Sequence, residues 1–102
     1  QASVFYPKGG GPCLRCMVPE IPPADTSPTS SEVGVLGVVP GLIGLVQAAE
    51  ALKFILNIGD TLIGRFFVYN CLKADFKTFF VDRNPSCPLC GENPTIKGLS
   101  SF

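Results

Sequence analysis

Histidine is absent from the 102 residues of this sequence, and methionine occurs only once. Without histidine there can be no Ser-His or Cys-His nucleophilic couple, and the acidic residues form no obvious catalytic pair. The sequence therefore contains no catalytic constellation of its own.

Charge is also scarce, because charged residues make up 16% of the chain and 8 lysines and arginines balance 8 acidic residues. A net charge of zero gives no basic surface for nucleic acid or an anionic membrane, so we expect neither as a partner. The longest uncharged stretch, residues 33–49, contains four glycines and a proline and lies at the short edge of what spans a bilayer. We interpret it as part of a buried helix in a soluble protein.

A secretory signal is missing as well, since no charged segment leads into an apolar one near Gln1. Five cysteines without such a signal favour a reducing compartment, and we expect a cytoplasmic protein whose cysteines bind metal. The first ten residues resemble the middle of a longer chain.

Four of the five cysteines form two Cys-x-x-Cys pairs, Cys13 with Cys16 and Cys87 with Cys90. Four thiolates can complete a tetrahedral site, for which zinc is the default ion and a rubredoxin-like iron site is the alternative. With four protein ligands no position is left for substrate, so the metal would be structural. The fifth, Cys71, lies in an apolar strand-like run and is expected to be a small buried hydrophobe.

A redox dithiol is a further interpretation of each pair, but a redox pair would begin a helix, and no helical period follows Cys90. In the second pair, Pro88 fixes the turning backbone, and Gly91 is expected to let backbone amides point at the sulfurs. These features favour metal binding.

The rest of the chain predicts a single α+β segment of five parts. We call the turn that carries each Cys-x-x-Cys pair a knuckle. The five parts are a short strand with the first knuckle (1–18), a Pro-rich extended segment (19–33), a helical region (34–59), a β-hairpin (60–83), and a second knuckle with a tail (84–102).

Within the helical region we predict one long Gly-rich helix over residues 35–57, disturbed at Pro40 and ended near Gly59. Its polar residues fall on one stripe, consisting of Gln47, Glu50, Lys53 and Asn57. The hairpin is predicted from two aromatic and β-branched runs, 62–71 and 75–82, joined by residues 72–74. The helix glycines match neither a dinucleotide-binding fingerprint nor a phosphate-binding loop, so the chain has no predicted nucleotide site.

Several motifs together resemble the MoeB/ThiF/HesA family, which is related to ubiquitin-activating enzymes. They are Gly-Pro-Cys-Leu-Arg-Cys-Met-Val-Pro-Glu at 11–20, the glycine-rich run at 34–44 leading into Gln-Ala-Ala-Glu-Ala-Leu-Lys at 47–53, Gly-Arg at 64–65, and the final Cys-Pro-Leu-Cys-Gly. The resemblance extends over nearly the whole chain in the same order.

The resemblance implies the C-terminal part of a larger α/β enzyme that uses ATP and magnesium to adenylate the C-terminal glycine of a ubiquitin-like β-grasp sulfur carrier. It implies that Cys13, Cys16, Cys87 and Cys90 bind zinc and that residues 19–33 are the crossover loop passing over the carrier's tail. Many members have a cysteine at the position of Ser30, proposed to bond covalently to the carrier. Serine there implies a member that only adenylates.

Two functions therefore remain open at this point. The chain is either a part of an adenylyltransferase of molybdopterin or thiamine biosynthesis type, inactive without its nucleotide-binding half, or a stand-alone zinc-stabilised interaction module. For the part of a larger enzyme we expect a homodimer or higher oligomer, because a Gly-rich helix without the sheet that normally covers it would expose a large apolar surface.

Overall fold

The fold is taken from a computed structural model that describes residues 1–20, 22–23 and 34–99. A 3₁₀ turn, Pro7–Gly9, and a four-residue helix, α1 (Leu14–Met17), precede the long helix α2 (Val38–Leu56). The strands β1 (Arg65–Asn70) and β2 (Asp75–Phe80) follow. The predicted α+β class is confirmed, whereas Ser30 and most of the predicted crossover loop lie outside the described residues.

The two strands form the predicted antiparallel hairpin, with Tyr69 opposite Phe76 and Phe67 opposite Thr78. Aromatic rings on one face stack across the strands, since the Tyr69 and Phe76 centroids are 4.7 Å apart and those of Phe67 and Phe76 are 5.8 Å apart. Such cross-strand pairs stabilise a hairpin and fix its register. The first strand is shorter than the predicted run 62–71 at both ends, whereas the second begins at Asp75 as predicted and ends two residues early.

The beginning of the chain forms two isolated bridges instead of a continuous strand, one to β1 and one to Ile63 just before it. Ala2 exchanges both backbone hydrogen bonds with Phe67, each 2.8 Å long, and the amide of Val4 donates to the Leu62 carbonyl. Between them the Ser3 hydroxyl donates to the Arg65 carbonyl at 2.6 Å. These contacts place residues 2–4 beside the hairpin, directly ahead of the first cysteine pair.

Helix α2 begins later than predicted, and Pro40 does not disturb it. Gly37 precedes the helix, so Pro40 lies in the first turn, where a backbone N–H has no intrahelical partner to lose. The helix ends at Leu56 because Asn57 adopts a left-handed conformation with φ of 54°, before the predicted stop at Gly59.

The expectation that α2 is buried is not met within the described part of this chain, where Glu50 is its one buried residue. The apolar surface faces outward instead, with Leu45 74% and Ile55 75% exposed. Part of the polar stripe faces the rest of the chain: Glu50 pairs with Lys53 and accepts the Leu62 amide at 2.5 Å, whereas Gln47 and Asn57 are exposed. The helix is held by this acceptor, which the turn before β1 needs, and by the Phe54 ring, which packs edge-on against Tyr6 with centroids 5.0 Å apart.

The free side of α2 has open space at its glycines. A β-carbon built at Gly37, Gly41 or Gly44 would meet no atom of the described residues within 4 Å. By length and composition alone the helix is also apolar enough to cross a membrane, a test that core helices of soluble proteins pass too. Packing within the described chain does not explain why these positions are glycine.

Candidate metal centre

The two Cys-x-x-Cys pairs come together although 74 positions separate Cys13 from Cys87. The sulfur atoms of Cys13 and Cys87 are 3.6 Å apart, and those of Cys16 and Cys90 are 3.4 Å apart. All four sulfur atoms lie within 4.8 Å of one another. We call this group the four-cysteine cluster.

The first knuckle is organised by the short helix α1. Cys13 stands immediately before the helix with extended backbone, and its sulfur accepts the amide of Cys16. The Cys13 amide in turn donates to the Cys16 sulfur at 3.4 Å. This is the reciprocal pattern of a capping box with thiols in place of the usual side chains, and it turns both sulfurs to the same side.

The second knuckle is a sequence of tight turns around Cys87. The amide of Gly91 donates to the Cys87 carbonyl at 3.1 Å, and a β-carbon at Gly91 would lie 2.5 Å from that carbonyl oxygen. Glycine is thus needed because backbone approaches closely, and a backbone amide of this knuckle, that of Leu89, does donate to the Cys87 sulfur. The Arg83 guanidinium donates to the Cys90 carbonyl, and the Pro88 carbonyl accepts two amides from the tail.

The four sulfurs differ in how deeply they are buried and in how many amides donate to them. Cys87 is fully buried and Cys13 is 5% exposed, whereas Cys16 and Cys90 are partly exposed. Amides donate to three of the sulfurs: Leu89 donates to Cys87, Asn84 to Cys16, and α1 provides the donors described above. Within the described residues no amide lies within hydrogen-bond distance of the Cys90 sulfur.

The thiols of the cluster have pKa shifts in opposite directions. Burial and hydrogen bonds to Cys90 and Cys87 raise the pKa of Cys13 from 9.0 to about 12. Burial opposes ionisation of Cys87 too, but backbone donors at Cys90 and Leu89 and the neighbouring thiols outweigh it and lower its pKa to about 6. Backbone donors at Asn84 and Cys13 likewise outweigh burial and lower the pKa of Cys16. Amide donors thus stabilise negative charge on the sulfurs of Cys87 and Cys16, as a cation site requires, but at Cys13 they do not outweigh burial.

These four sulfur ligands fit a metal ion that binds thiolates in tetrahedral geometry. Four sulfurs at mutual contact, held by two turns and supported by amide donors, have the composition and second shell of a closed site. Among the described residues it is the one group of three or more potential ligands found close together. Cys71 stands apart in the turn after β1, where it is partly buried; the expected place within a strand is wrong by one residue.

The chain matches the family described as "ThiF family" over residues 1–89. It belongs to the ThiF family. The family model therefore covers the first knuckle, α2, the hairpin and most of the second knuckle of this ThiF-family chain, which confirms the resemblance predicted from its motifs.

Individual relatives agree with this membership. The chain is 46% identical over 92 residues to a protein of Thermus thermophilus named sulfur carrier protein adenylyltransferase, covering 90% of this chain and 34% of that protein. It is 45% identical to the SAMP-activating enzyme E1 of Haloferax volcanii, covering 90% of this chain and 33% of the enzyme. It is 41% identical to bovine adenylyltransferase and sulfurtransferase MOCS3, covering 100% of this chain and 22% of that protein.

The ThiF-family chain thus spans between 22% and 34% of the length of these relatives. No solved structure matches it. Sequence reasoning found all four cluster cysteines and placed Glu50 in a motif, but it missed the hydrogen bonds that Glu50 and the Asn84 amide make, because these arise only through the fold.

Proposed function

We propose that the chain is the zinc-binding C-terminal part of an ATP-dependent adenylyltransferase that activates the C-terminal glycine of a ubiquitin-like sulfur carrier. The observation that carries the proposal is the family match over residues 1–89 together with relatives named as adenylyltransferases and activating enzymes. ATP and magnesium would be bound by a nucleotide-binding half, since no phosphate-binding loop occurs among these 102 residues.

Zinc is the ion proposed for the four-cysteine cluster. When bound, it supplies a structural cross-link and no open coordination position. The chain's own residues turn the four sulfurs inward through α1 and the tight turn at Gly91, and amides stabilise three of them. The cluster holds the segment before the Pro-rich stretch against the segment after the hairpin, which gives a carrier-binding surface a fixed base.

The apolar side of α2 is proposed to be covered by protein. Its outward leucines and isoleucines and the open space at its glycines suit close packing against another layer, as in a larger α/β fold. The polar stripe already bonds the chain to itself, so a lipid-facing helix would leave the paired Glu50 next to hydrocarbon. We further propose a cytoplasmic homodimer without nucleic-acid or membrane partners.

The proposal that adenylation requires a separate nucleotide-binding half is tested by ATP–pyrophosphate exchange with the sulfur carrier encoded in the same genome. The 102-residue chain should show no exchange, and a longer natural polypeptide containing these residues should show carrier-dependent exchange. Exchange by the chain alone would contradict the proposed division of labour. Absence of carrier-dependent exchange in the longer polypeptide would favour the stand-alone interaction module.

The metal is tested separately by elemental analysis of protein purified without added metal. About one zinc ion per chain is expected, with loss of zinc in Cys13→Ser and Cys87→Ser. Cys71→Ser is the matched control, since that cysteine lies outside the cluster, and it should retain zinc. Iron in place of zinc would show an iron-binding cluster.

A further inference from the structure

We propose that the four-cysteine cluster is a site of oxidative modification, in which a hydroperoxide oxidises Cys90 and a disulfide then forms between Cys90 and Cys16. The inference rests on the proposed zinc binding and adds a chemical reactivity to a site otherwise described as structural. It depends on three differences among the four sulfurs.

The first difference is hydrogen bonding. Cys16 accepts amides from Cys13 and Asn84 at 3.4 and 3.5 Å, and Leu89 donates to Cys87 at 3.4 Å. Each N–H donor withdraws electron density from a metal-bound thiolate and makes it less nucleophilic. Within the described ranges, the Cys90 sulfur has no such donor and so keeps the most electron density.

The second difference is access. Cys13 and Cys87 are buried, whereas Cys16 and Cys90 are partly exposed. Oxidants attack thiolates that they can reach. Only Cys90 combines access with the absence of an amide donor, so it is the expected point of attack.

The third difference is proximity. The Cys90 sulfur lies 3.4 Å from that of Cys16, in the other knuckle, whereas Cys13 and Cys16, within one knuckle, are 3.9 Å apart. The sulfurs of Cys16 and Cys90 are therefore close enough to react with each other across the two knuckles. A disulfide between Cys16 and Cys90 leaves the buried pair, Cys13 and Cys87, as thiols.

The chemistry balances with hydrogen peroxide as oxidant. The Cys90 thiolate attacks one peroxide oxygen; an S–O bond forms, the O–O bond breaks, hydroxide leaves, and the sulfur becomes a sulfenic acid. The Cys16 thiolate then attacks that sulfur; an S–S bond forms, the S–O bond breaks, and a second hydroxide leaves. Two thiolates have given up two electrons to one peroxide, and zinc is released because two of its ligands are gone. The two ends stay joined, now covalently.

The test uses the zinc-loaded full chain carrying Cys71→Ser, so that all four ligands are retained and no other thiol competes. Zinc content is measured first. Substoichiometric hydrogen peroxide is then added, remaining thiols are blocked with N-ethylmaleimide, and tryptic peptides are mapped without reduction. Trypsin cleaves after Arg15 and so separates Cys13 from Cys16, and fragmentation across Pro88 separates Cys87 from Cys90.

The expected first product links Cys16 to Cys90 and releases about one zinc ion per disulfide. In a parallel sample treated with iodoacetamide, Cys90 should be the first ligand alkylated. A first disulfide within either knuckle, or earlier alkylation of another ligand, would overturn the inference. A protein that contains no zinc before peroxide is added would contradict the proposed metal, whereas a zinc-loaded protein forming another disulfide contradicts this inference alone.

Discussion

Replacing Gly44 by alanine tests whether the outer side of α2 is covered in a longer polypeptide that contains these residues. In the described chain a β-carbon at this position meets no atom within 4 Å. Alanine should therefore stabilise the isolated 102-residue chain by about 1 kcal/mol, which is the difference in helix propensity between the two residues. In a longer polypeptide whose other layer packs against this glycine, the added methyl group should instead cost roughly 1–3 kcal/mol by overpacking.

The assay is urea unfolding at saturating zinc, monitored through the helical signal in circular dichroism, for both the 102-residue chain and the longer polypeptide. Ala48→Gly is the control, because Ala48 is an exposed position on the same helix, one turn later. It should destabilise the isolated chain by about 1 kcal/mol if α2 forms there. A stabilisation of equal size by Gly44→Ala in both lengths of protein would refute the reasoning, since nothing would then cover this side of the helix.

Three further outcomes are expected. Glu50→Ala should lower the free energy of unfolding by about 1–3 kcal/mol in urea titrations, because it leaves the buried Leu62 amide without its acceptor; Glu50→Gln, which keeps an acceptor, should lower it less. Gly91→Ala should weaken zinc retention against a chelator, because its β-carbon would lie 2.5 Å from a backbone oxygen, whereas Gly98→Ala, in open space, should not. In metal-free, reduced Cys71→Ser protein, thiolate absorbance should show one cysteine ionising near pH 6, because the pKa of Cys87 is lowered from 9.0 to about 6 in the folded chain. The thiolate of Cys87 therefore stabilises the fold fully above pH 9.0, and this stabilisation is lost as the pH falls through about 6. Absence of any titration below pH 8 would contradict that assignment.

The hairpin and the four-cysteine cluster were predictable because their signals are local. Alternation of aromatic residues specifies strands whatever surrounds them, and the spacing within each Cys-x-x-Cys pair is set by the turn that directs two sulfurs to one ion. The resemblance to a known family located both pairs in one site. The structure then supplied the distances.

The orientation of α2 could not be read from its sequence. A stripe containing Gln47 and Glu50 normally indicates a solvent-facing side. Here Gln47 is exposed but Glu50 faces the chain, because a buried turn at Leu62 needs an acceptor and Glu50 supplies it. The direction in which Glu50 points thus depends on a backbone amide 12 positions away, and the spacing of polar residues along the helix does not reveal that amide. The role of Gly91 was likewise a matter of backbone contact and was visible only in three dimensions.

The separation of Cys13 from Cys87 along the chain has a kinetic consequence. Bringing together positions 74 apart costs loop-closure entropy before any contact between the knuckles can form, and the hairpin alone does not bring them together. One Cys-x-x-Cys pair can bind a zinc ion before the other pair reaches it, so the rate of folding should first rise with zinc concentration. At higher zinc concentration each pair would hold its own ion, and the rate should then fall, because one ion must be lost before the two pairs can share the other. The metal concentration during synthesis would then decide how quickly this segment reaches its final structure.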